Sequence, residues 1–201
     1  MVHKVGPCKR RPFLFPVTAD SPMTVGVFDG FSWIRLEGKG SFINSPLLKA
    51  FGDVRIAAGE SRIVVDLAGC TGMDSTFMGT LAGMAARLSA LDGGKLQIAE
   101  PGERNRRSLE DLGLDFLIEI DPPDAVWRGR VDEIRRDLSA PQSPGAIGRS
   151  QRAIHVLEAH QVLAGINDGN ARDFASVVSQ LEKEVAEKSS KEKLAESDDS
   201  A

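Results

Sequence analysis

Apolar positions along the chain change period several times, and each change marks an element. From Thr24 to Phe28 and from Ser32 to Leu36, short apolar and β-branched runs flank Asp29-Gly30, a dipeptide suited to a hairpin turn. Two antiparallel strands are the economical reading. Ser45-Pro46 supplies an N-cap and an N1 proline ahead of Leu47, Phe51 and Val54, which share one helical stripe, so a first helix is predicted from about Pro46. After Gly59, Arg62-Ile63-Val64-Val65-Asp66-Leu67 is a nearly continuous apolar run, as expected for a central parallel strand buried on both faces. Ala68 to Met73 read as a turn.

Phe77, Leu81, Met84, Leu88 and Leu91 then recur at steps of four and three, the period of a core-facing helix. On an adjoining stripe Gly79, Gly83, Ala86 and Ala90 leave the helix backbone bare, so another element can approach closely despite the helix-propensity cost of glycine. Gly93-Gly94 ends this helix. Lys95 to Ala99 reads as a strand, Glu103 to Leu112 as a third helix stopped at Gly113, and Phe116 to Ile120 as a last strand. Strands that alternate with helices predict one α/β domain over residues 23–121, a mixed sheet of about five strands with crossover helices.

Beyond Asp121 the pattern loosens. Pro122-Pro123, Pro141, Pro144, Gly145 and Gly148 mark residues 122–149 as a poorly structured connector, although Trp127, Val131, Ile134 and Leu138 have helical spacing within it. Residues 150–187 read as a helical hairpin, with Asn170 capping its second helix, Asp173 at N3, and Phe174, Val178, Leu181 and Val185 as its apolar stripe. Such a stripe must be buried. The expected cover is the sheet face left open by the crossover helices, and the alternative is a second copy of the chain in a homodimer. Residues 1–22 read as a flexible N-terminal arm, and residues 188–201, charged and free of aromatics, as a disordered tail.

Composition narrows the class. A net charge of −4 gives no electrostatic reason to bind a polyphosphate backbone, so nucleic acid is not an expected partner. The longest apolar runs are too short to span a bilayer and no signal-peptide pattern follows Lys9, Arg10 and Arg11, so no membrane insertion and a cytoplasmic location are expected. Cys8 and Cys70 fit neither a disulfide framework nor a zinc site, and no cofactor or metal is called.

The segment Val65-Asp66-Leu67-Ala68-Gly69-Cys70-Thr71-Gly72-Met73-Asp74-Ser75-Thr76-Phe77-Met78-Gly79 resembles the signature of STAS-domain anti-sigma factor antagonists. In that family a buried strand ending in Asp-Leu leads through a short loop to an Asp-Ser-Ser/Thr triplet and a glycine-containing helix. Phe77 stands where many members have glycine, and Lys39 and Ser41 stand near where many carry an acidic residue.

The resemblance implies a partner switch. The unphosphorylated domain would bind an anti-sigma serine kinase with a histidine-kinase-type ATPase fold, and phosphorylation at Ser75, with Thr76 as fallback acceptor, would break that complex until a serine phosphatase restores it. Asp74, Ser75, Thr76, Met78, Gly79 and Ser41 are the implied partner-binding residues. A helix start accommodates an added phosphate, while two negative charges beside Asp74 penalise close docking. The alternative from the same resemblance is a STAS adaptor subunit of a membrane transport complex, without phospho-switching.

From residues alone, Ser75 after Asp74 at a helix start is more simply a cap. No GxSxG, P-loop or HExxH pattern occurs, and no catalytic constellation is expected. His155 and His160, five apart, fall off a common helical face and read as surface or packing histidines rather than metal ligands. Arg104, Arg106 and Arg107 lie among Glu103, Glu110 and Asp111, which suggests a solvated mixed-charge face.

Overall fold

Side chains alternate across the strands, and this alternation gives the sheet two separate cores. In the computed structural model, which describes residues 22–142, 145 and 148–198, β1 (Met23–Phe28) pairs antiparallel with β2 (Phe31–Gly40) around Asp29-Gly30. Gly30 sits at φ 82°, a conformation that glycine adopts without steric cost. β3 (Arg62–Met73), β4 (Lys95–Ala99) and β5 (Glu119–Ile120) extend the sheet in parallel, in the spatial order β1-β2-β3-β4-β5. This is the mixed α/β sheet that the alternation of elements predicts.

One face is covered by the crossover helices α1 (Ser45–Ala57), α2 (Ser75–Ser89) and α3 (Gly102–Asp111). Ile34, Leu36, Ile63, Val65, Leu67, Leu96 and Ile98 from the strands meet Leu48, Phe77, Leu81, Met84, Leu88 and Leu109 from the helices. The stripe expected for α2 is therefore the buried one. For α1 the expected stripe is shifted, because Leu48 and Gly52 are buried whereas Val54 is 65% exposed. The helix begins at Ser45, and Asn44, the residue before it, spends its side chain on Ser41 N and Lys39 O instead of capping.

Three further boundaries differ from expectation. β3 does not turn at Ala68 but runs on to Met73, paired with a β2 that reaches Gly40 through register shifts after Arg35 and Gly38. Polar and glycine residues that look like a turn are held as strand by bulged pairing. The last strand shrinks to Glu119–Ile120, preceded by a 3-10 turn at Leu114–Phe116 that leaves Phe116 exposed.

The other sheet face is taken by residues 122–139 of the connector, which are structured rather than loose. Trp127 and Ile134, the latter in α4 (Val131–Arg136), are buried against Phe31, Trp33, Val64 and Ala99. Trp127 donates its indole N–H to Gln97 Oε1 at 2.8 Å, and its ring meets Trp33 edge to face at 5.5 Å. Asp66, fully buried, anchors this strap by accepting from Arg135 Nε (2.8 Å) and Nη2 (2.9 Å) and from Arg35 Nη1 (3.0 Å). The hydrogen bonds to Asp66 raise the Arg135 pKa above its ordinary value against the opposing effect of burial. Burial of a carboxylate is tolerable here because its charge is paired on two sides.

With that face closed, the hairpin docks elsewhere. α5 (Arg149–Ala164) lies on α2, and α6 (Asp168–Asp198) packs on α5. Helical backbone thus continues beyond residue 187 into what the composition marks as a tail. Asn167 rather than Asn170 accepts at the start of α6, from Asn170 N. Asn170 is buried, and its amide donates to Leu112 O (2.9 Å) and Leu163 O (3.1 Å), which ties the hairpin to the end of α3. Phe174 reaches the main core, while Val178, Leu181 and Val185 are half-buried. The N-terminal arm, with His3 and Cys8, lies outside the described residues apart from Pro22.

Candidate functional site

β3 ends at Met73, and the chain passes through Asp74 into α2 at the end of the sheet where β2 also finishes. Asp74 N donates to Gly40 O (2.9 Å), so the two strand ends stay together. Asp74 is the N-cap of α2: its extended backbone (φ −92°, ψ 170°) lets Oδ1 accept from Phe77 N at 2.9 Å. Its second oxygen accepts from Phe42 N at 2.8 Å and holds the loop after β2 against the helix start. Ser41, in that loop, accepts through its carbonyl from Asn44 N and Ser45 N and lies between the two residues bonded to Asp74. The fold therefore brings Ser41, Asp74, Ser75 and Thr76 together.

Capping by Asp74 leaves the Ser75 hydroxyl free for another partner, and that partner comes from the hairpin. Ser75 Oγ lies 2.9 Å from Nε2 of His160. The His160 Nδ1 is 2.8 Å from Val156 O, and a carbonyl can only accept, so Nδ1 carries the proton. In the tautomer that carries its proton on Nδ1 alone, Nε2 accepts from the Ser75 hydroxyl. Phe174 meets the imidazole edge on, with ring centroids 5.7 Å apart.

Next to this pair α5 comes close enough to α2 for backbones to touch. A Cβ at Gly79 would overlap the carbonyl of Ala159, and one at Gly83 would reach Val162 at 3.8 Å. The bare stripe of α2 thus serves the close approach its small residues suggest, to α5. His155, also buried, places Nε2 2.8 Å from Ser45 Oγ and 3.4 Å from Thr80 Oγ1. Burial pushes its pKa below the ordinary imidazole value, with Glu158 and Asp53 pulling up and Lys49 down. A small cleft of about 60 Å³, lined by Lys49, Thr80, Arg87, His155 and Glu158 among others, remains along this seam.

Of the implied partner-binding residues, Thr76, Met78 and Gly79 are buried and Ser41, Asp74 and Ser75 half-buried. Sequence reasoning missed both histidines as site residues. They are packing histidines as expected, but they straddle one seam on α2 rather than lying apart. Phe42 and Ile43, exposed beside Asp74, form an apolar rim that no periodic signal marks. Arg106 and Arg107 pair with Glu110 and Glu103, the mixed-charge face expected of α3. Cys70 is a free thiol whose carbonyl accepts from Asn105 Nδ2. Among the described residues no group of His, Cys, Asp and Glu could hold a metal ion, and no helix is long and apolar enough to cross a membrane.

A helix-backed mixed sheet whose central strand delivers a capped Asp-Ser-Thr helix start defines a class, and the STAS domain sequence profile matches residues 23–123. The chain belongs to the STAS domain family. Solved structures to which the chain is similar include the Bacillus cell fate determinant SpoIIAA in the phosphorylated form (21% identity, 56% of this chain, 99% of that chain, TM-score 0.44). Another is an anti-sigma factor antagonist from Mycobacterium paratuberculosis (21% identity, 60% of this chain, 99% of that chain, TM-score 0.46). No curated protein matches the chain. At these identities the likeness concerns the fold alone.

Proposed function

We propose that the protein is an anti-sigma factor antagonist-like regulator that acts by binding, not by catalysis. It binds an anti-sigma serine kinase with a histidine-kinase-type ATPase fold and is switched by phosphorylation at Ser75. The observation that carries this reading is the division of labour at the start of α2. Asp74 provides the cap, so the Ser75 hydroxyl is not needed to satisfy the helix and is available for modification. A phosphate on Ser75 would add about −1.5 to −2 charges beside Asp74 and the loop at Ser41 and Phe42, where a partner would dock. A serine phosphatase reverses the switch, and the exchange takes place in the cytoplasm.

Incubation of the full chain with the cell's candidate anti-sigma kinases and ATP, followed by mass spectrometry, tests the proposal. Phosphate on the peptide carrying Asp74-Ser75-Thr76, lost in S75A, is the expected result, and its absence with every kinase overturns it. The cover that α5 places over Ser75 favours the second reading, a STAS adaptor of a membrane transport complex. In that case S75A and S75D bind the partner equally well.

A further inference from the structure

The face of α2 that carries Ser75 is already occupied, and its occupant is part of the same chain. We propose that α5 is a built-in competitor for the partner: the hairpin covers the acceptor hydroxyl and the adjoining surface, and has to lift before kinase or partner can reach them. This deepens the reading of Ser75 given above and rests on it.

Three observations carry the inference. First, the Ser75 hydroxyl is engaged by His160 Nε2 at 2.9 Å, and a kinase that takes the hydroxyl proton and delivers a phosphoryl group needs the same space. Second, the cover extends over the implied docking surface: Ala159 seats on Gly79 and Val162 faces Gly83, so no partner side chain can enter while α5 is in place.

Third, the attachment is made for release rather than for permanence. The seam is polar for a buried contact, with His155 on Ser45 and Thr80 and His160 on Ser75, and the cleft of about 60 Å³ runs beside it. Leu163 is the only large apolar side chain of α5 that is fully buried among the described residues. The principal contacts of α5 are with α2 and α6, and those of α6 are with α5. When the hairpin swings away the second core is untouched, and the main core keeps its strand and crossover-helix side chains, giving up Leu163 and the packing of Val162, Ile166 and Phe174.

The test measures exposure directly at the acceptor position. In the full chain with Cys8 and Cys70 replaced by serine, S75C introduces a single thiol whose reaction with a disulfide reagent is timed with and without A159R. Arginine has no room where Ala159 meets Gly79. The expected result is a rate at least tenfold higher with A159R. Loss of the nearby imidazole would slow the thiol and an added guanidinium would quicken it, so the uncharged A159L is timed alongside, and acceleration in both variants reports uncovering. Equal rates overturn the proposal.

Should A159R lose its circular dichroism signal, the milder pair H155A/H160A replaces it, with acceleration and equality read in the same way. Kinase and ATP are then applied to the serine-bearing protein with and without A159R. Faster phosphorylation of the released chain supports the competitor. An uncovered thiol with no phosphate in either protein leaves the cover standing and removes Ser75 as the acceptor.

Discussion

Ser75 and His160, 85 residues apart in the chain, face each other across α2 and α5 with Oγ and Nε2 separated by 2.9 Å. The hydrogen bond spans the junction between the STAS domain and its C-terminal addition, so its removal should be felt at that junction. S75A and H160A should each cost about 0.5–1.5 kcal/mol, and the double variant little more than either, because both delete the same bond. Urea denaturation of the four proteins measures the cycle. Full additivity would show that the two groups do not interact.

Asp74 serves two donors at once, Phe77 N and Phe42 N. D74A should therefore exceed the loss of a simple cap and fall toward the upper end of about 0.5–2 kcal/mol. D74N retains one acceptor oxygen and should recover part of the loss. Chemical denaturation separates the variants, and hydrogen exchange should show the loop at residues 41–44 loosened in D74A.

Trp127 closes the second core and bonds Gln97. W127A should cost about 3–5 kcal/mol, the range for a large aromatic removed from a packed site. A chain ended after Asp121 loses the same cover and should be less stable than one ended after Gln142, which keeps the strap. Melting temperatures of the two truncations decide the matter: equal values would mean that the strap does not support the domain.

His155 gives the hairpin a pH dependence. Its pKa is lowered in the folded protein, so its contribution is fully present above the unfolded value of 6.5 and is lost as pH falls through the lower folded value. Glu158 on its own helix, Lys49 and Asp53 from α1, and the hydroxyls of Ser45 and Thr80 complete its surroundings. Intrinsic-rate-corrected hydrogen exchange in residues 149–164 should therefore be faster at pH 5 than at pH 7.5. H155Q should flatten the difference.

How far the sequence revealed these relationships depends on the range of the forces involved. Elements set by local periodicity were legible: the stripe from Phe77 to Leu88, the hairpin turn at Asp29-Gly30, the helix start after Asp74, and the order of strands and helices. Features set by long-range pairing were not. Gly69 to Gly72 look like a turn and become strand only because β2 runs alongside in bulged register. Trp127 and Ile134 had the right spacing, but the surrounding prolines and glycines disguised a strap whose order comes from Asp66 and Trp33. His155 and His160 carry no local sign of their partners, which lie 110 and 85 residues away.

The strap does one more thing at its far end. Ser139 exchanges both backbone hydrogen bonds with Val25, at 2.7 and 2.9 Å, along the outer edge of β1. A bare outer strand is a template on which another chain can add itself, and a single antiparallel bridge with a turn of backbone across it is enough to spoil that template. The residues that lead from the domain to its hairpin thereby hinder neighbouring molecules from adding at the β1 edge. Sequence drift in this stretch would then be restrained by the need to stay dispersed at high concentration, independently of any partner.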